Sequence, residues 1–173
     1  MTYQSPKISI LATEDDPEYR ALLQEAFNAC GQENSVYFVD DGIALLQFLL
    51  RQGKYANSKN TPRPDLILLD LNMPHKDGRS TLSDIKADPD LRGIPVVVLT
   101  VSDAEEDILQ TYNHGGAGYI IKPTTFDELV EVVKGITQYW FDTVELINGE
   151  SMVNVHKQHN PASFTHDVIT KYW

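Results

Sequence analysis

The sequence predicts an α/β protein built on a doubly wound parallel sheet of five strands. Short, continuously apolar runs recur along the chain, and segments with helical apolar spacing and capping signals lie between them. Acidic, hydroxyl and ammonium side chains fall just after the runs rather than within them.

The apolar runs are residues 8–12 (ISILA), 36–39 (VYFV), 66–69 (LILL), 96–99 (VVVL) and 118–121 (GYII). Their apolarity is continuous rather than alternating, which marks strands buried on both faces. Between the first two, Asp16 is a cap followed by Pro17 at the first helical position. Behind it Tyr19, Leu22, Leu23, Ala26 and Phe27 repeat at helical spacing. A second helix follows Asp41, with Leu45, Leu46, Leu49 and Leu50 on its face, and a third runs from about Gly78 to Ala87. Residues 102–105 (SDAE) form a capping box that opens a fourth, ending near Gly115-Gly116. Residues 125–128 (TFDE) open a fifth in the same way. Strands alternating with helices in this manner imply the flavodoxin-like order 2-1-3-4-5. Residues 52–64, rich in Lys, Asn, Ser and Pro, read as a solvated surface insertion.

Composition narrows the function classes. The chain has 173 residues and a formal net charge of −11, which repels nucleic acid and anionic lipid. No apolar run reaches the roughly 18 residues of a membrane span, and residues 1–7 lack the apolar segment of a signal peptide. A single cysteine, Cys30, excludes an internal disulfide and suits a reducing cytoplasm. It reads as a small core residue late on the first helix.

In a doubly wound sheet, ligands bind beyond the carboxyl ends of the strands. Glu14-Asp15-Asp16 follows the first run, Asp70 with Asn72 the third, Thr100 the fourth and Lys122-Pro123 the fifth. This order brings three carboxylates, a hydroxyl and an ammonium to one sheet edge. Clustered like charges need an offset, and Mg²⁺ supplies one because it prefers oxygen ligands. Asp15 and Asp70 are its direct ligands on this reading, with Glu14 acting through water. Asp70 keeps an oxygen for nucleophilic attack on phosphorus. Lys122 pairs with phosphoryl oxygens as a point charge, and Thr100 hydrogen-bonds another.

Residues 10–16 (ILATEDD), 66–78 (LILLDLNMPHKDG), 95–100 (PVVVLT) and 118–123 (GYIIKP) resemble the receiver domain of two-component response regulators. The resemblance covers about residues 7–140. It implies that Asp70 is the phospho-acceptor, that Glu14 and Asp15 are the acidic pair, and that Asn72 ligates the metal through its backbone carbonyl. It also implies Thr100 as switch hydroxyl, Tyr119 as switch aromatic, Lys122 as phosphoryl partner, and a cis Lys122–Pro123 bond. Phosphorylation then shifts the face formed by the fourth helix, fifth strand and fifth helix. Val101 stands where alanine or glycine is usual, which implies slow self-dephosphorylation. A closer resemblance is to the small response regulators of bacterial and cyanobacterial phytochromes, carried by residues 53–57 (GKYAN), 104–108 (AEEDI), 132–136 (VVKGI) and 139–141 (YWF). It implies a red-light-sensing histidine kinase as partner.

The expected organisation is a receiver domain over 1–145 and an extension without its own fold over 146–173. On the fifth helix, Leu129, Val133, Ile136 and Trp140 suffice for a core face. Phe126, Val130, Thr137, Phe141 and Val144 leave apolar groups over, and either a second copy, forming a homodimer, or the tail covers them. In the tail Glu150 and Asp167 balance Lys157 and Lys171. His156, His159 and His166 lack the spacing of a metal site, and Phe164, Tyr172 and Trp173 suggest docking where the tail is ordered. The tail is too short and too little basic for a DNA-binding output domain.

Two other classes also place a site at this edge. A haloacid-dehalogenase-type phosphatase uses a strand-end Asp with Mg²⁺, but needs a second Asp two residues on, where Asn72 stands and cannot exchange a proton. A flavodoxin-like cofactor binder needs a phosphate-cradling loop after the first strand, and Glu14-Asp15-Asp16 repels phosphate.

Overall fold

The computed structural model describes residues 8–31, 36–57, 59 and 61–143. The chain runs β1 (Ile10–Thr13), α1 (Pro17–Ala29), β2 (Val36–Val39), α2 (Gly42–Leu49), a 3₁₀ turn (Gly53–Tyr55), β3 (Leu66–Leu69), α3 (Gly78–Ala87), β4 (Val96–Thr100), α4 (Glu105–Asn113), β5 (Gly118–Ile121) and α5 (Phe126–Thr137). A π-helical turn, Gln138–Thr143, continues α5. All five strands are parallel, in the order β2-β1-β3-β4-β5. This is the flavodoxin-like fold that the sequence predicts. The expected extension over 146–173, Val144 and the tail histidines lie outside the described residues.

Apart from Thr13 and Thr100 at their carboxyl ends, the strands β1, β3 and β4 are apolar because helices cover both faces of the sheet. On one face Ile10, Ala12, Leu66, Leu68, Val97 and Leu99 pack with Leu23, Ala26 and Phe27 of α1 and with Leu129, Val133 and Ile136 of α5. On the other, Leu11, Val39, Ile67, Leu69 and Val96 meet Leu45 and Phe48 of α2 and Leu82 and Ile85 of α3. The fourth helix is different: the residues it buries are Asp107 and Thr111, both polar. Leu109 and Tyr112 on the same helix are exposed.

Several local expectations shift for physical reasons. The first strand begins at Ile10 rather than at residue 8, because the Ser9 amide donates to the Asp65 carboxylate at 2.9 Å instead of joining the ladder. The capping box at 102–105 does not form. The Ser102 hydroxyl donates to Asp107 Oδ2 at 2.6 Å, and α4 starts only at Glu105 without a side-chain cap. Gly115, at φ +85°, ends that helix near where it was expected to stop. Asp16 and Thr125 cap α1 and α5 as predicted. The Lys122–Pro123 bond is trans rather than cis, the form that an X–Pro bond favours intrinsically. The insertion at 52–64 is more than solvated surface. Its Tyr55 ring lies 5.2 Å from that of Phe48, and the buried Thr61 hydroxyl donates to the carbonyls of Asn57 and Tyr55 at 3.0 and 3.2 Å. Cys30 caps α1 half-buried, its Sγ 4.0 Å from the Val130 carbonyl. Among the described residues no helix is long and apolar enough to cross a membrane.

Candidate functional site

The carboxyl edge of the sheet collects the residues that follow β1, β3, β4 and β5. Glu14 extends the ladder by one residue, its amide donating to the Val39 carbonyl at 3.0 Å. Asp16 then turns the chain into α1, accepting from the Glu18 amide at 2.9 Å while its own amide donates to Glu14 Oε1 at 3.1 Å. Asp70 follows the central strand β3. Its backbone is pressed by Gly78, whose amide donates to the Leu71 carbonyl at 2.9 Å. A Cβ at Gly78 would overlap the Asp70 carbonyl oxygen, so only glycine allows α3 to start this close behind Asp70. The Lys122 amide donates to the Thr100 carbonyl at 2.7 Å, which fixes β5's end beside that of β4.

The side chains form one charged cluster in a mostly dry setting. Glu14 is 2% and Asp70 5% exposed. Lys122 Nζ donates to Glu14 Oε2 at 2.5 Å and to Asp70 Oδ2 at 2.7 Å. Asp70 Oδ1 accepts from the Asn72 amide at 3.1 Å. The Tyr19 ring lies 4.3 Å from the Lys122 ammonium. Burial raises the Glu14 pKa above its ordinary value despite the opposing pull of Lys122. Burial also works against the charge of Lys122, but its hydrogen bonds to Asp70 and Glu14 prevail and its pKa is raised.

Glu14, Asp15 and the phosphoryl-acceptor candidate Asp70 each offer a carboxylate oxygen, all within 4.8 Å of one another. Three anions against one ammonium leave a net negative, all-oxygen set, which suits a hard divalent cation. Asp15 is exposed, so one side of the set opens to solvent. Thr100 is fully buried at the same edge, and its hydroxyl has no protein hydrogen-bond partner. Such an orphan costs about 1–3 kcal/mol and fits a site built to meet an anionic oxygen.

The remaining predicted residues are less uniform in placement. Asn72 is exposed and touches the site through its backbone. Tyr119 is half-buried, and its hydroxyl donates to the Ser102 carbonyl at 2.9 Å. Phe126 is 39% exposed, whereas Val130 and Phe141 are half-buried against the α1–α5 core. Leu109, Tyr112 and Ile121 supply more exposed apolar surface on α4 and β5.

Sequence reasoning missed a second polar cluster. Arg79 Nε and Nη2 donate to the two oxygens of Asp107, each at 2.6 Å, and Ser102 completes the set. Through Ser102 the cluster reaches Tyr119. Its one local signal is an aspartate that the helical spacing of α4 places on the same side as Thr111. The partner lies 28 residues away.

A parallel sheet that carries an acid cluster, an orphaned hydroxyl and a bridging lysine at its carboxyl edge has the arrangement expected of a receiver-type signalling domain. Residues 10–134 match the model of the response regulator receiver domain, and the chain belongs to that family. It is 43% identical over 141 residues to response regulator Rcp1 of Synechocystis, covering 82% of this chain and 93% of the relative. The solved Mn²⁺-bound form of Rcp1 superposes with a TM-score of 0.73 at 42% identity, covering 82% of this chain and 99% of that one. The phosphorylated cyanobacterial phytochrome response regulator RcpA gives 0.74 at 42% identity, covering 80% and 97%.

Proposed function

We propose that this chain accepts a phosphoryl group on Asp70 from a sensor histidine kinase of the phytochrome class, in the cytoplasm, and signals by a change in its α4–β5–α5 face. The observation that carries the reading is the placement of Asp70. It sits almost buried at the end of the central strand, 2.7 Å from the Lys122 ammonium and at the same edge as the unpartnered Thr100 hydroxyl. The phytochrome partner rests on the likeness to RcpA and Rcp1.

An Asp70 carboxylate oxygen attacks the phosphorus of a phosphohistidine. The P–O bond forms as the P–N bond breaks, and the imidazole leaves to take up a proton from solvent. Lys122 already holds one oxygen of Asp70 and is placed to follow the charge onto the phosphoryl group. The Asn72 amide orients the other oxygen. Thr100 donates its free hydroxyl to a phosphoryl oxygen. Glu14, Asp15, Asp70 and the Asn72 carbonyl would hold Mg²⁺, which would supply charge neutralisation there. The drawing-in of Thr100 shifts the β4–α4 connection, and Tyr119, tied there through Ser102, follows. Residues 1–145 carry this activity, 146–173 are an extension to it, and Phe126, Val130 and Phe141 contribute to a homodimer contact.

The test is phosphotransfer from candidate kinases with Asp70→Asn as control. Transfer to the wild-type chain with no label on the variant is expected. Label persisting on Asp70→Asn refutes the assignment.

A further inference from the structure

The phenol of Tyr19 has no place in the reading above, yet it touches the site's only ammonium among the described residues. We propose that Tyr19 is a positioning residue: its ring seats the Lys122 ammonium over Asp70 and keeps it there when the carboxylates turn to a metal ion. The inference rests on the assignment of Asp70 and Lys122 to phosphoryl acceptance.

Geometry carries it. Tyr19 lies in the first turns of α1 and packs against the α1–α5 core, so its ring plane is held by the fold. The ring centroid is 4.3 Å from Lys122 Nζ, inside the distance at which a cation is drawn to an aromatic face. The Lys122 side chain is only 9% exposed, so water screens this attraction little. Burial, and then the charges of Glu14 and Asp70, push the phenol pKa up, so the hydroxyl stays protonated.

Competition for Lys122 gives the contact its purpose. Its two carboxylate partners are also two of the three groups that offer a cation its oxygens. An oxygen turned to a divalent ion holds an ammonium less well, and a flexible lysine stem then regains its rotamer freedom. The ring is a partner the metal does not claim. The hydroxyl contributes nothing to this role, since it is buried without a protein partner. Ring and hydroxyl can therefore be separated by substitution.

The experiment uses the full chain with Tyr19→Phe, Tyr19→Leu and Tyr19→Met. Two properties are measured: the rate of Asp70 phosphorylation by acetyl phosphate with Mg²⁺, and the NMR shifts of the Lys122 ε-methylene protons in unphosphorylated protein. Tyr19→Phe should retain most of the rate and keep the upfield ring-current shift. The Leu and Met variants should lose about five- to thirtyfold in rate, the range of a largely desolvated cation–aromatic contact, and lose the shift. A leucine or methionine variant as fast as wild type, or a phenylalanine variant as slow as these, overturns the proposal. The shift is read without phosphate, so it tests the seating of Lys122 even if Asp70 accepts no phosphoryl group. An ordinary shift in the wild-type chain overturns the seating by itself.

Discussion

Severing Arg79 from Asp107 should cost more from the arginine side than from the aspartate side. The pair is a fork-to-fork contact with both N–H···O distances at 2.6 Å, the geometry of the stronger ion pairs. Its members are unequally wet: the Asp107 side chain is 11% exposed and that of Arg79 36%. Exposed pairs contribute about 0–1 kcal/mol, while orphaning one member of a buried pair costs about 3–5 kcal/mol. Arg79→Met leaves a nearly dry carboxylate with the Ser102 hydroxyl as its main partner, so about 2–3 kcal/mol is expected. Asp107→Asn leaves a guanidinium that reaches water, so about 1 kcal/mol is expected after solvent screening. Urea denaturation of the two single variants and the double variant gives the coupling, expected at about 1–2 kcal/mol. Arg79, and then Ser102, hold the Asp107 carboxyl below the ordinary carboxylate range. A depressed acid contributes stability above its unfolded pKa of about 4 and loses it as pH falls through the folded value. The gap between wild type and Asp107→Asn should therefore be full at pH 7 and shrink below about pH 4. A coupling under about 0.5 kcal/mol, or a larger loss from Asp107→Asn than from Arg79→Met, would show the pair to be an ordinary surface contact.

Other substitutions probe the site directly. Gly78→Ala should destabilise the domain by about 2 kcal/mol or more, because its methyl meets the backbone of Asp70 and Leu71 rather than a yielding side chain; thermal melts read the loss, and phosphorylation should slow with it. Thr100→Val removes a fully buried hydroxyl with no protein partner, so stability should hold or rise by up to about 1 kcal/mol while phosphotransfer slows; a clear fall in stability would mean that the hydroxyl is satisfied in solution. Val101 is 66% exposed beside Thr100, and Val101→Ala should shorten the lifetime of phospho-Asp70 from minutes or longer toward seconds, as followed by loss of label. An unchanged lifetime would remove the shielding role of that side chain.

The fold was legible in the sequence because burial on both sheet faces leaves a signature that short strands cannot hide. The site was legible because a parallel sheet delivers every strand's carboxyl end to one edge, so Glu14, Asp70, Thr100 and Lys122 could be brought together from chain order alone. What failed was set by tertiary partners. Ser102 looked like a helix cap and was taken by Asp107. Ser9 looked like strand and was held by Asp65. Helical spacing turned Tyr19 inward without saying that its neighbour would be an ammonium.

The way α4 is attached has a consequence for motion. The other helices are riveted to the sheet by apolar side chains, while α4 buries an aspartate and a threonine. Apolar burial resists separation over a long path, but an ion pair lets go once its two atoms part and water enters. Sub-global opening of α4 should therefore need less free energy than opening of the rest, and its amides should exchange with deuterium well ahead of those in β1, β3 and β4. Asp70 follows the central strand, flanked by β1 and β4, while α4 is held on a polar clasp. A firmly packed strand end and a loosely held helix thus sit side by side, and raising ionic strength should quicken exchange in α4 while leaving the strand beneath Asp70 as slow as before.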